Sequence, residues 1–131
     1  MNKKNLRNVL SKFATGVTVV STIDCDGKPI GMTANSFASV SLDPPLVLWS
    51  IGINQPSYDS FLKAKGYSVS ILSKDQKDIC DLFSSPIENK FSDIDYTLTD
   101  NGFPIIQKSL AWFDCLKSVS YTHLRAHETV V

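Results

Sequence analysis

The stretch Val17-Thr18-Val19-Val20-Ser21-Thr22-Ile23 is β-branched almost throughout, and Asp24-Cys25-Asp26-Gly27 follows it at once with turn-forming residues. Side chains branched at Cβ fit a pleated surface, so the pair specifies a β-hairpin whose second strand resumes at Lys28. Further strands are expected over Ile30 to Ser36 and over Pro45-Leu46-Val47-Leu48-Trp49-Ser50-Ile51, the second a continuous apolar run typical of a fully buried strand. A polar, Ser-rich connection lies between them. Strands that follow one another in sequence, without a crossover helix after each, argue for an antiparallel barrel and against a doubly wound parallel sheet.

Helices enter as decoration. Leu6, Val9, Leu10 and Phe13 stand at i, i+3, i+4 and i+7, which predicts a short opening helix stopped by Thr15-Gly16. Asn54-Gln55-Pro56-Ser57 opens a second through Leu62, with Asn54 or a neighbour as cap, Pro56 in the first turn and Gly66 as its end. Tyr67 to Leu72 alternates polar and apolar as a strand does, and Ser73-Lys74-Asp75-Gln76 reads as a capping box that launches a helix through Phe83. Ser84 to Asn101 is polar and reads as loop, before Phe103-Pro104-Ile105-Ile106 and Leu110 to Leu116 return to strand character. The expected fold is mainly β with two or three short helices, its strands forming a six-stranded antiparallel barrel.

Composition narrows the function classes. A length of 131 residues suits one domain. Thirteen Lys and Arg balance thirteen Asp and Glu, so no overall field draws the chain to nucleic acid or an anionic membrane. Cys25, Cys80 and Cys115 lie far apart with no C-x-x-C pair, which fits a reducing cytoplasm. Ser11, Lys12 and Thr15 interrupt the apolar stretch that a secretion signal would need after Lys3, Lys4 and Arg7, and no apolar run approaches the ~20 residues that cross a bilayer.

Common catalytic signatures are missing: no G-x-S-x-G elbow, no phosphate-binding P-loop, no G-x-G-x-x-G and no H-E-x-x-H. His123 and His127 have i, i+4 spacing but no third ligand nearby, so no metal site is expected. Asp24/Asp26 and Asp93/Asp95 read as solvated loop charge, and Cys25 at the hairpin tip has no neighbouring base. The segment from Gly31 to Pro45 differs from the rest: Thr33, Asn35, Ser36, Ser39 and Ser41 place neutral donors and acceptors among small side chains that let a flat ligand approach the backbone. By composition, a Ser-rich connection accounts for it as well as a ligand site does.

A wider pattern weighs on that choice. Phe13-Ala14-Thr15-Gly16-Val17-Thr18-Val19-Val20, Gly31-Met32-Thr33-Ala34-Asn35-Ser36-Phe37 and Ser39-Val40-Ser41-Leu42-Asp43-Pro44-Pro45-Leu46-Val47-Leu48 together resemble the flavin reductase-like, FMN-binding split-barrel family. The likeness is strongest to the small reductase components of two-component flavin monooxygenases. It continues in Asn54 and Ser57, in Val69, Ile71-Leu72-Ser73 and Gln76, and in Phe83, Lys90-Phe91, Gly102-Phe103-Pro104, Ala111 and Cys115.

The resemblance implies a six-stranded split barrel, usually a homodimer, that binds FMN or FAD and passes hydride to it from NADH or NADPH, supplying reduced flavin to a partner monooxygenase. Thr33, Ala34, Asn35 and Ser36 would line the isoalloxazine ring, Ser39, Val40 and Ser41 would continue that wall, and Ser57 would lie near the flavin phosphate. Lys90 offers a further phosphate contact, though a solvated loop lysine is the plainer reading. No side chain need act as acid or base, because the cofactor carries the difficult step. The alternative is an FMN-binding electron-transfer or cofactor-carrier module without free-flavin reductase activity.

Two departures from the family pattern stand out. An Asn is common in the family where Ser70 stands, which alters a local hydrogen bond but not the fold. The family also continues past Cys115 with a Gly-Asp-His segment implicated in nicotinamide handling and with closing strands, whereas Ser118 to Val131 carries no resemblance and is similar to translated adapter sequence at the ends of metagenomic gene fragments. The expected organisation is a flavin reductase-like domain over 1–117, incomplete at its C-terminus with its last strands missing, followed by a non-family, artefactual tail over 118–131. Leu110 to Leu116 is then expected to present an apolar edge without its following partner.

Overall fold

The computed structural model describes residues 17–34, 36–121 and 126–130. The opening helix expected from Leu6 to Phe13 lies outside the described residues. In chain order the elements are β1 (Thr18–Ile23), β2 (Pro29–Ala34), β3 (Ala38–Leu42), β4 (Pro45–Ser50), α1 (Tyr58–Lys63), β5 (Gly66–Ile71), a 3-10 turn (Lys74–Gln76), α2 (Lys77–Ser84), β6 (Tyr96–Leu98), β7 (Pro104–Ile106), β8 (Ala111–Tyr121) and β9 (Ala126–Val130). A seven-stranded sheet runs β2-β1-β5-β8-β9-β4-β3, with β6 and β7 pairing apart from it. The pairings are antiparallel throughout.

The first hairpin forms where the sequence places it. Asp24 Oδ1 accepts the backbone N–H groups of Asp26 and Lys28, both at 2.9 Å. Gly27 takes φ +80, which glycine adopts without a Cβ penalty. The capping box is also present, with Gln76 Oε1 accepting the Ser73 N–H at 2.8 Å.

The mainly β character agrees with expectation, and the described residues form nine strands, from which a six-stranded barrel would have to be drawn. The Ser-rich connection contains β3, which pairs with β4 along a sheet edge where its exposed hydroxyls meet solvent rather than a core. The segment read as loop contributes β6, all of whose residues are exposed, so no apolar alternation marks it. Ala126–Val130 pairs with both β4 and β8. Gly66 also has a different task from the helix stop expected of it: it begins β5, and a Cβ there would run into the Cys115 carbonyl on β8.

Leu110 to Leu116, expected to present an apolar edge, falls at the start of β8. Along Ala111–Leu116, β8 pairs with β5 on one side, while β9 begins on the other side only at Leu116. Leu110, Trp112 and Leu116 are 64%, 52% and 50% exposed there.

Adjacent residues on a strand face opposite ways, and the sheet builds two cores accordingly. Val20, Trp49, Phe61, Tyr67 and Val69 belong to one cluster, in which the Trp49 ring stands edge-on to Phe61 at 4.9 Å and to Tyr67 at 5.5 Å. Val19, Leu72, Phe83, Phe91 and Ile106 form the other, on the side that α2 covers. A row of fully buried serines runs through this second side. Ser68 Oγ donates to the Pro104 carbonyl, and Ser70 Oγ accepts the Ile106 N–H at 3.1 Å, so β7 is fastened across β5 by hydroxyl groups. Ser70 thus makes its hydrogen bond to the backbone of β7.

Candidate functional site

Among the described residues β2 is an edge strand, paired to β1 alone. Beside it opens a cleft of about 670 Å³, bounded by Pro29 to Thr33, by Gln55, Pro56, Ser57 and Ser60 at the start of α1, and by Phe83 to Phe91 beyond the end of α2. Asp24 and Lys28 of the hairpin reach its mouth.

Close approach creates the floor. A Cβ on Gly31 would stand 2.7 Å from Phe83 Cε1 and 3.0 Å from Ser21 Oγ, so only glycine lets the Phe83 ring lie against the strand. Phe83 is held in turn by Phe91, edge-on at 4.9 Å. With Ile30 and Met32, these residues give the cleft an apolar body that suits a planar heteroaromatic ring.

The rim is polar. α1 begins later than the sequence suggests: Ser57, expected in the first turn behind a cap at Asn54 or a neighbour, is itself the residue before that turn, and its side chain makes no capping bond. Its hydroxyl instead lies 3.8 Å from Met32 Sδ. Lys90 Nζ donates to the Phe83 carbonyl at 3.0 Å and stands 6.0 Å from the centre of that ring. Burial holds the Lys90 ammonium below the ordinary lysine range. The reading of Lys90 as a solvated loop lysine is therefore corrected: it is half-buried and lines the cleft.

α1 is fixed from its other end. Lys117 Nζ donates to the Phe61 carbonyl at 3.5 Å and to that of Leu62, placing a cation at the carbonyl end of the helix. Burial lowers this pKa as well.

Of the residues singled out by sequence, Thr33 and Ser57 meet on the cleft. Asn35 lies outside the described residues. Ala34 is buried in the first core, with its carbonyl accepting Thr18 Oγ1 at 2.6 Å. Ser36 Oγ donates to the Ser50 carbonyl at 3.1 Å and accepts the Ser50 N–H at 2.9 Å, pinning the start of β3 to the end of β4. Ser39, Val40 and Ser41 stand on β3, where the register shifts between Ser39 and Ser41 and leaves Val40 without a paired residue. These five residues are not part of the cleft lining.

Sequence reasoning missed the wall from Ser84 to Asn89 and the hairpin residues Asp24 and Lys28. The one signal available was Gly31, since glycine inside a strand marks a close approach. Among the described residues, no three His, Cys, Asp or Glu side chains gather as a metal ion requires, and no helix is long and apolar enough to cross a membrane.

A planar apolar ring bearing an anionic tail matches this donor set, with a flat floor of Gly31, Met32 and Phe83 beside a hydroxyl and an ammonium. Comparison with known proteins bears on the same point. A family model described as "Flavin reductase like domain" matches residues 10–131. The chain is 46% identical over 110 residues to a probable flavin reductase of Rhizobium meliloti, covering 84% of this chain and 35% of that protein. It is 43% identical over 112 residues to the reductase component of a flavin-dependent trigonelline monooxygenase of Acinetobacter baylyi, covering 86% and 36%. Among solved structures, the NADH:FAD oxidoreductase SgcE6 of Streptomyces globisporus, in complex with NAD and FAD fragments, is similar with a TM-score of 0.82 at 30% identity, covering 100% of this chain and 82% of that one. The chain thus spans little more than a third of the length of the two curated relatives.

Proposed function

The chain belongs to the flavin reductase-like domain family, and from that premise we propose that it is an NAD(P)H-dependent flavin reductase, taking FMN or FAD as flavin and NADH or NADPH as co-substrate. The carrying observation is the cleft itself, whose apolar floor and Ser57 and Lys90 rim match the two halves of a flavin nucleotide. When bound, the flavin supplies the acceptor for a nicotinamide hydride.

The chain's own residues bind and orient. Thr33 stands at the cleft beside the ring, while the wall that the family resemblance implies from Ala34, Asn35, Ser36, Ser39, Val40 and Ser41 continues outside the cleft lining. Ser57 meets the phosphate as a hydroxyl donor, and Lys90 meets it as a charge-assisted donor whose partial burial strengthens the contact. No side chain is assigned a proton to carry. The reduced flavin serves a flavin-dependent monooxygenase, as the name of the Acinetobacter baylyi relative describes for that protein.

The finer architecture belongs to the same reading: a split barrel built from six of the strands, a domain over 1–117 with a tail over 118–131, although the family match itself runs over 10–131, a homodimer, and a cytoplasmic location.

The test is NADH or NADPH oxidation with an excess of each free flavin. Sustained turnover with FMN or FAD is expected of a chain that carries the family's Gly-Asp-His segment and closing strands, and weak or no turnover of these 131 residues alone. Flavin binding by that longer chain without sustained nicotinamide oxidation would select the electron-transfer or cofactor-carrier reading, and absence of flavin binding would overturn both.

A further inference from the structure

The Thr33 hydroxyl, which the flavin reading places beside the ring, is already committed elsewhere. Thr33 Oγ1 donates to the Cys80 carbonyl on α2 at 2.9 Å, across 47 positions of sequence. The same carbonyl accepts Ser84 Oγ at 2.7 Å. Two residues along β2, on the same face of the strand, Gly31 receives the Phe83 ring. Cys80 and Phe83 are three apart on α2 and share a helix face. The helix is therefore seated on β2 at two points, one a hydrogen bond and the other a ring contact.

The cleft's far wall hangs from this seat. Ser85 Oγ donates to the Leu82 carbonyl at 2.6 Å and receives the Ile87 N–H at 3.4 Å, while Lys90 Nζ returns to the Phe83 carbonyl at 3.0 Å. The bonds to the Leu82 and Phe83 carbonyls tie the 84–90 segment to the end of α2 rather than to the sheet, and the Ile87 bond lies within the segment. Among the described polar contacts, the Thr33 bond is the one that joins α2 to β2, the opposite wall of the cleft.

We propose that Thr33 is a positioning residue, which sets the width of the cleft by holding α2 through the Cys80 carbonyl and thereby places Lys90 opposite Ser57. The proposal rests on the flavin reading for its ligand but not for its geometry. A hydroxyl donated to a helix carbonyl is not donated to the ring, so Thr33 acts on the flavin through the wall it holds.

The variants are Thr33→Val, which keeps the shape and removes the donor, and Thr33→Ser, which keeps the donor. In flavin-free protein, amide hydrogen exchange across 80–90 is expected to quicken by about tenfold in Thr33→Val, the scale of one hydrogen bond, and to stay near wild type in Thr33→Ser. With ligand, the KM for FMN should rise by about five- to tenfold in Thr33→Val and by less than about twofold in Thr33→Ser. The rise should be smaller for riboflavin, which has no phosphate for Lys90 to meet. Should Thr33→Val fail to fold, Thr33→Cys, with only a weak donor, carries the same test.

Unchanged exchange in Thr33→Val alongside a raised KM would overturn the proposal, because the hydroxyl would then act on the flavin directly. Equal shifts for FMN and riboflavin would overturn the placement of Lys90. A wild-type protein that binds no flavin but shows faster exchange in Thr33→Val would reject the flavin reading and leave the clamp standing.

Discussion

The two sides of the central strands are built on different principles. On one, Val20, Trp49, Phe61, Tyr67 and Val69 pack as an apolar and aromatic cluster. On the other, Val19, Leu72, Phe83, Phe91 and Ile106 share the space with buried serines that hold β7, and the Thr33 hydroxyl holds α2 at the rim. Apolar packing is non-directional and tolerates small shifts, whereas a hydroxyl aimed at a carbonyl fixes a distance. The side that carries the cleft is the one positioned by hydrogen bonds, as a ligand-sized gap between two elements requires.

The largest expected effect lies on the apolar side. Trp49→Ala removes a fully buried ring that has two aromatic neighbours and should cost about 3–5 kcal/mol in denaturant unfolding. A loss below about 1 kcal/mol would break the contrast, since that side would then not depend on its aromatic centre.

On the other side, Gly31→Ala drives a methyl into Phe83, which is 1% exposed and cannot move aside freely. About 1–3 kcal/mol of stability should go, with flavin affinity falling as the floor shifts. Flavin titration beside urea unfolding separates these two effects, and unaltered affinity would remove Phe83 from the floor.

Ser70→Ala leaves the buried Ile106 N–H without its acceptor, for about 1–3 kcal/mol. Ser70→Asn should recover part of that. If both variants matched wild type in unfolding, β7 would be held by its apolar contacts alone.

The smallest effect is one of pH. Burial lowers the Lys90 pKa below 10.5, so its charge is lost at a lower pH than that of an ordinary lysine. FMN affinity should therefore weaken with rising pH, by on the order of tenfold once the charge-assisted bond is gone. Riboflavin affinity should stay flat, and Lys90→Met should flatten the FMN profile. A persisting slope in Lys90→Met would assign the titration to another group.

The same contrast explains what was legible in the sequence. The β-branched run from Val17, the Asp24 turn, the capping box at Ser73 and the apolar run at Leu46 each encode local structure, and all of them formed. β3 and β6 escaped notice because edge strands facing solvent need no apolar alternation. The wall from Ser84 to Lys90 escaped because it hangs from α2, which Thr33 bonds at Cys80, 47 residues on, and nothing local to the wall announces that hydroxyl. Thr33 and Ser57 were identified through the family pattern, and their meeting on one cleft is a matter of tertiary structure.

Amide hydrogen exchange on addition of FMN tests the account most directly. Protection is expected over Pro29–Thr33, Ser57–Phe61 and Phe83–Phe91, the segments that surround the cleft. FMN binding that leaves all three segments unprotected would place the flavin elsewhere and contradict the account.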